Sequence, residues 1–374
     1  MGPTVAWFGT YDPAYARNRV LIEGLRAVGA RVLEYSAPLS SSLTAARLAT
    51  PGGAGELACE LARAHLSLAV RHRRDVGFDA LVVGYPGHLM VPFARALASR
   101  RRALLVFDPL VSLHDTFAGD RGLVAAEGLG GRVAGLADHV AFDWADMVLA
   151  DTVAQGEYYR TAFGVPQRKL EVVPVGALPV PAATGVARSL RDGRPLEVLQ
   201  YGKWSPLHGA DVVLAAAAEL RDEPFRFVLA GEGQLSARLR DDIDARGLDS
   251  VSLPGMLTAS ALRARVLAAD VCLGVFGRSD KAGRVIPNKV YDALAAGRPL
   301  ITADTPAARE LLTDDRTALL VPAGAAGALA AALRRLRDGR RRARLGRAAL
   351  ALYRERCTPE AVGGRLLAAL EARL

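Results

Sequence analysis

Short apolar runs rich in β-branched residues alternate along this chain with stretches whose apolar positions recur every three to four residues. The first pattern suits strands buried on both faces, and the second suits helices laid over them, so a parallel α/β architecture is expected. In the first half, strands are predicted at Thr4–Phe8, Arg31–Glu34, Ala80–Gly84, Ala103–Phe107, Met147–Ala150 and Leu170–Val173. Helices are expected near Ala14–Val28, across Gly55–Arg74 and around Met90–Ser99. A second series of strands is predicted at Leu196–Tyr201, Phe225–Ala230, Val251–Leu253, Val271–Val275, Leu300–Thr302 and Ala318–Val321, each separated by a helical stretch.

Between the two series lies Ala177–Pro195, rich in Pro, Ala and Gly and without periodicity, which marks an interdomain linker. The expected organisation is therefore a Rossmann-like domain over residues 1–176, the linker 177–195 and a second Rossmann-like domain over 196–357. A last helix, 358–374, follows a break at Cys357–Thr358 and is expected to pack back on the first domain. Two such sheets would set their strand ends across one cleft, where open α/β sheets bind ligands.

Length and composition agree with this picture. A chain of 374 residues with 51% hydrophobic and 23% charged residues is that of a two-domain globular protein. The net charge of +9 invites a nucleic-acid or anionic-surface reading, but 44 of the 48 basic residues are Arg and no aromatic residues interleave with the Arg triplets. No nucleic-acid partner is expected, whereas transient contact with a membrane surface remains compatible with the charge. No apolar segment is long enough to span a bilayer and no secretory signal is visible, and Cys59, Cys272 and Cys357 are too few and too scattered for a disulfide framework or a Cys-rich metal site. A cytoplasmic protein without a metal is the expectation, and nothing indicates its oligomeric state. Against so strong a preference for Arg, the four lysines Lys169, Lys203, Lys281 and Lys289 are informative.

Three of those lysines fall in segments with anion-binding chemistry. The run Arg284-Val-Ile-Pro-Asn-Lys-Val-Tyr-Asp292 follows a strand and a glycine-containing loop, and Pro287 is expected in the first turn of a helix. The backbone N–H groups of Asn288 and Lys289 would then point at an anion, with Lys281, Arg284 and Lys289 adding cationic side chains and Val290 a further donor-binding candidate. Asp292, one turn on, repels phosphate and is suited to sugar hydroxyls such as a ribose diol. A second segment, Tyr201-Gly-Lys-Trp-Ser-Pro-Leu-His-Gly209, places Gly202 and Lys203 at a strand end. His208 in it is either a second donor or a structural residue. Gly231 and Gly233 form a two-glycine turn after the next strand, and Gly255-Met256 places backbone where a planar base could lie.

These segments, in this order, resemble the retaining glycosyltransferases of family four, whose fold is the two-Rossmann B type. The likeness extends to the Gly9 turn, Ala150-Asp-Thr152, Val173-Pro-Val-Gly176 and the run from Tyr201 to Pro322. It implies that residues 1–176 form the acceptor-side domain and 196–357 the domain that binds a nucleotide-diphosphate sugar. In that family an Arg and a Lys-Gly after the first strand of the second domain bind the donor diphosphate, and the matching positions here are Lys203 and His208-Gly209. The family also carries two Glu eight residues apart. Asp292 matches the second, while Arg284 stands at the first, a charge reversal found with a Pro-Asn-Lys motif. The resemblance implies metal-independent transfer with retention, in which Lys203, Arg284 and Lys289 neutralise the departing diphosphate.

In the first domain Gly9, Thr10 and Tyr11 follow strand one; Gly9 lets the turn approach a donor, and Thr10 and Tyr11 are acceptor-side candidates. Arg17 and Asn18 on the next helix are acceptor-side candidates, as is Ser112. His88, Asp108, Ser112 and His114 are all candidates for contact with the transferred sugar. The acceptor, a small molecule or a glycan, is not identified. The rival readings are a nucleotide-sugar 2-epimerase, which needs an acid–base set not evident here, and a non-catalytic nucleotide-sugar-binding protein, suggested by the loss of the first Glu.

Overall fold

The computed structural model of the protein describes residues 2–39, 51–72, 77–180 and 194–374. By internal contacts the chain divides into two compact units, Met1–Val175 with Thr358–Leu374 and Gly176–Cys357.

Unit 1 is built on a six-stranded sheet in the order β2–β1–β3–β4–β5–β6. Its strands are β1 (Thr4–Gly9), β2 (Arg31–Ser36), β3 (Ala80–Val83), β4 (Leu104–Phe107), β5 (Met147–Ala150) and β6 (Leu170–Val172). All neighbours pair in parallel, with Ala6, for instance, opposite Leu33 on one side and Leu81 on the other. The central strands are unbroken apolar runs because helices cover both faces. Those helices are α1 (Ala16–Ala27), α2 (Pro51–His72), α3 (Val91–Arg101), α4 (Leu129–Trp144) and α5 (Val153–Phe163). Phe8, Phe107, Phe142 and Tyr159 are among the large side chains of its core.

Unit 2 repeats the construction with the order β12–β11–β10–β7–β8–β9. Its strands are β7 (Leu196–Tyr201), β8 (Phe225–Ala230), β9 (Val251–Gly255), β10 (Val271–Leu273), β11 (Leu300–Ala303) and β12 (Leu319–Val321). The helices are α6 (Ala210–Glu219), α7 (Ser236–Arg246), α8 (Ala259–Ala268), α9 (Asp280–Arg284), α10 (Asn288–Ala295), α11 (Pro306–Leu311), α12 (Ala326–Arg335) and α13 (Gly339–Arg356). The strand order reverses between β7 and β10, the switch point at which such sheets bind ligands.

The last helix, α14 (Pro359–Glu371), packs on α1 of unit 1. Gly24 and Gly363 make this possible, because a Cβ on either would collide with the backbone of the other helix. Of the stretch 177–195, residues 181–193 lie outside the described residues. Its ends are packed on unit 2: the Ala177 carbonyl accepts from the Tyr353 hydroxyl at 3.0 Å, and Arg194 pairs with Asp270 at 2.8 Å.

Several boundaries differ from expectation for identifiable reasons. Strand β10 stops at Leu273, and Gly274 follows where the side chain of Thr302 leaves no space for a Cβ. Helix α4 was not anticipated, because its first turn is Leu-Gly-Gly-Arg and Leu129, Val133 and Leu136 face outward, which blurs its periodicity. Of the helix expected across Gly55–Arg74, the structure describes Pro51–His72, and Arg74 lies outside the described residues. No described helix is long and apolar enough to cross a membrane.

Candidate functional site

Three glycine turns stand side by side at the carboxyl ends of β7, β8 and β9. Gly202, Gly231 and Gly255 have φ of +141°, +136° and +74°, values that L side chains rarely adopt. The Gly202 N–H donates to the Ala230 carbonyl at 3.0 Å, and the Gly231 N–H donates to the Gly255 carbonyl at 2.8 Å. A Cβ on Gly231 would strike the Gly202 carbonyl, and one on Gly233 would strike the Trp204 backbone. The indole N–H of buried Trp204 donates to the Gly231 carbonyl at 2.9 Å and locks the turns together.

The turn after β7 brings His208 against Gly202. A short 3₁₀ turn, Pro206–His208, ends at Gly209 with φ of +60°, and α6 begins at Ala210. Gln200, buried within β7, donates to the His208 carbonyl at 3.1 Å and to the Gly274 carbonyl at 3.0 Å. It thereby fixes the turn to the end of β10. The ring of His208 lies edge-on to Trp204, and its Nδ1 is 3.2 Å from the Ser205 hydroxyl.

Helix α10 arrives at the same place from β10. Pro287 is the N-cap, with ψ of 155°, one residue before the position expected for it. No side chain caps the helix, so the first amide groups of α10 depend on another partner. Lys289 in this first turn is 4% exposed, and its Nζ has no hydrogen-bond partner. A Cβ built on Gly202 would lie 3.2 Å from Lys289 Nζ and 2.7 Å from His208 Nε2. Two nitrogen-bearing side chains thus meet at a glycine at the switch point, and burial lowers the Lys289 pKa to about 7. The Asp292 carboxylate, farther along α10, accepts a hydrogen bond from the Tyr201 hydroxyl. Burial raises the pKa of Asp292, against the Tyr201 hydrogen bond and the charge of Arg263. Tyr201 is raised well above its ordinary value by burial and by Asp292.

The other unit 2 candidates are placed unevenly. Lys203 is exposed beside the Gly202 turn, and Met256 is 65% exposed beside Gly255. Arg284 is half-buried at the end of α9 and Asn288 half-buried at the start of α10. Lys281 is buried within α9, a one-turn helix capped by the Ser279 hydroxyl, and not in an open loop. The side chain of Val290 is in the core and its N–H already donates to the Pro287 carbonyl, so the ligand contact expected of it is withdrawn.

Unit 1 requires corrections. Arg17 is fully buried and forms an ion pair with Asp108, also fully buried, at 2.9 Å. Its Nη1 donates to the Val173 and Pro174 carbonyls at 2.7 and 2.8 Å. Asn18 is equally buried and donates to the carbonyls of Asp12 and Tyr85. Arg17, Asn18 and Asp108 therefore tie strand ends together inside the unit, and the expected ligand contacts of these side chains are withdrawn. Thr10 and Tyr11 are likewise buried, bonded to the Pro86 carbonyl and to Glu34. Gly9 has φ of +123°, and its nearest neighbours would be Met90 and Val83.

The remaining candidates of unit 1 converge on a residue the sequence did not single out. The buried Asp138 of α4 accepts from the Ser112 hydroxyl at 2.7 Å, from the Leu113 N–H at 3.0 Å and from the His114 N–H at 2.9 Å. His88 Nε2 lies 3.3 Å from the same carboxylate and 3.0 Å from the Val111 carbonyl. Burial lowers the His88 pKa, against the pull of Asp138. Ser112 and His88 are thus interior, and His114 is half-buried at the edge. Tyr201, Trp204 and Asp138 were also missed. Gln200 did carry a signal, since a polar residue within an apolar strand needs an internal partner.

Among the described residues no group of three His, Cys, Asp or Glu side chains is placed to hold a metal ion. Residues 196–338 match the protein family described as glycosyl transferases group 1. The chain is 28% identical over 182 residues to the amylovoran biosynthesis glycosyltransferase AmsK of Erwinia amylovora, covering 48% of this chain and 44% of that relative. It thus spans less than half the length of that relative. Sucrose-phosphate synthase from Thermosynechococcus elongatus superposes with a TM-score of 0.73 at 18% identity over 100% of both chains. Anabaena HepE, solved in complex with UDP-glucose, does so with a TM-score of 0.69 at 16% identity over 100% of both chains. Residues 196–338 are a glycosyl transferases group 1 domain, in a chain with the two-sheet α/β fold of the B-type glycosyltransferases.

Proposed function

We propose that this chain is a retaining glycosyltransferase similar to family four, which takes a sugar from a nucleotide-diphosphate donor without needing a metal ion. The observation that carries the reading is the unpartnered, buried Lys289 nitrogen beside Gly202 and His208 at the uncapped start of α10. A diphosphate there would meet cationic side chains and helix N–H groups together. The group 1 match over the same residues supports it.

In this account Lys203, Arg284, Lys289 and the α10 amides neutralise the charge that develops on the diphosphate as its bond to the anomeric carbon breaks. An acceptor oxygen attacks from the same face, and its proton passes to the departing phosphate oxygen. Asp292 accepts from the ribose, and the Gly255-Met256 backbone lies against the base. His114 is the first-unit candidate most open to a sugar or an acceptor, which is a small molecule or a glycan. The three scattered free cysteines support a cytoplasmic location.

A thermal-shift panel of nucleoside diphosphates and nucleotide sugars tests the reading, since a ligand that binds only the folded state raises the melting temperature. At least one nucleotide sugar and its diphosphate product should do so, with UDP the first choice because HepE was solved with UDP-glucose. No shift with any of them would overturn the proposal.

A further inference from the structure

We infer that Lys289 is largely uncharged above neutral pH in the free protein and takes up a proton there when a nucleoside diphosphate binds, an inference that rests on the donor-site reading above. The geometry isolates this nitrogen. Lys289 Nζ is buried without a partner, and Asp292, the acidic group on its own helix, is engaged by Tyr201. From β7 the Tyr201 ring stands 6.0 Å away, and from the following turn His208 reaches the same face of Gly202. Asp280, Lys281 and Arg284 precede it on α9, with no charge effect on Lys289, and β10 brings only the Cys272 thiol. Strand β11 carries no titratable group, and α13, rich in arginine with Glu355 as its one acid, also packs on α10. None of these supplies a carboxylate to Lys289.

An ammonium removed from water without a counter-charge gives up its proton more readily. Burial is the sole cause that brings Lys289 to about 7. A diphosphate beside it supplies the missing negative charge and raises that pKa again. Binding is then coupled to protonation. Affinity should be greatest below the free-state value of about 7 and should fall as pH rises above it, until the bound-state value is passed. A lysine serves this purpose where an arginine could not, because Arg stays charged throughout. That distinction matters in a chain that otherwise uses Arg 44 times against four Lys.

The test is calorimetry at pH 8 in buffers of different ionisation heats, using whichever of UDP, GDP, ADP and dTDP binds tightest. Phosphate groups with a second pKa of about 6 are fully ionised there and contribute no proton of their own. Wild type should take up about 0.9 proton per site. Its dissociation constant should weaken close to tenfold per pH unit between pH 8 and 9. Lys289→Arg should lose the uptake, and His208→Gln should keep it. Binding with no buffer dependence in wild type would overturn the inference while leaving the transferase reading intact. Uptake that survives Lys289→Arg and disappears in His208→Gln would assign the proton to His208 and overturn it equally. Failure of all four nucleotides to bind would overturn both.

Discussion

The Tyr201 hydroxyl donates to Asp292 Oδ2, joining the last residue of β7 to the middle of α10. This bond engages Oδ2 of the carboxylate and not Oδ1. If Oδ1 accepts from a ribose hydroxyl, the protein should prefer a nucleoside diphosphate over its 2′-deoxy or 3′-deoxy analogue. A hydrogen bond to a charged group contributes about 1.5–3 kcal/mol, or roughly tenfold to a hundredfold in affinity. Asp292→Ala should remove that preference, as read by competition binding. Equal discrimination in the variant would place the ribose elsewhere.

Lys289 should burden the fold that it serves. Its folded pKa of about 7 lies below the ordinary lysine value of about 10.4, so the charged side chain opposes folding at neutral pH. The sign is that of a depressed base: the penalty is full below about pH 7 and fades as pH rises toward 10. Lys289→Met should therefore gain stability on the order of a few kcal/mol at pH 7 in urea unfolding. That gain should shrink at pH 9–10. A variant less stable than wild type at pH 7 would show that Lys289 has a compensating partner.

The Arg17–Asp108 pair joins α1 to the end of β4, while Arg17 also holds the carbonyls just after β6. Removing one member of such a buried pair leaves the other unpaired and costs about 3–5 kcal/mol. Arg17→Met should lose stability on that scale in chemical denaturation. The double variant Arg17→Met/Asp108→Leu should recover part of the loss. If the single variant is near wild type, the pair is not what joins these strand ends.

Arg284 stands where the resembling family carries Glu, and it closes α9 just ahead of the Lys289 turn. A carboxylate there would face a bound diphosphate across a few ångströms, at a cost of several kcal/mol for an effective dielectric near 20. Arg284→Glu should weaken nucleoside diphosphate binding at least tenfold, even though it restores the family's commoner residue. Binding that is unchanged or tighter would show that Arg284 does not approach the phosphates.

Much of the fold was readable because parallel strands buried on both faces are continuous apolar runs, as Leu-Glu-Val-Leu-Gln-Tyr of β7 and Phe-Arg-Phe-Val-Leu-Ala of β8 nearly are. The segments of the proposed donor site carry local signals for a related reason: Gly202, Gly231 and Gly255 stand at strand ends, and Lys289 follows a proline that marks a helix start. What local pattern could not reveal was pairing at long range. Arg17 sits on the helix after β1, and its burial depends on Asp108, 91 residues away, and on the carbonyls of Val173 and Pro174. Asp138 was hidden on α4, the helix whose outward leucines obscured its period, although it organises His88, Ser112 and His114. Tyr201 read as an ordinary strand aromatic until Asp292 was brought to it.

The central claim is that cationic groups of unit 2 hold a departing diphosphate, and its most direct measurement is the release of nucleoside diphosphate from a nucleotide sugar that stabilises the protein, followed in chelator. Wild type should turn over the donor, and Lys203→Ala and Lys289→Ala should each slow release on the order of 10²-fold or more. Full activity in both variants would contradict the account.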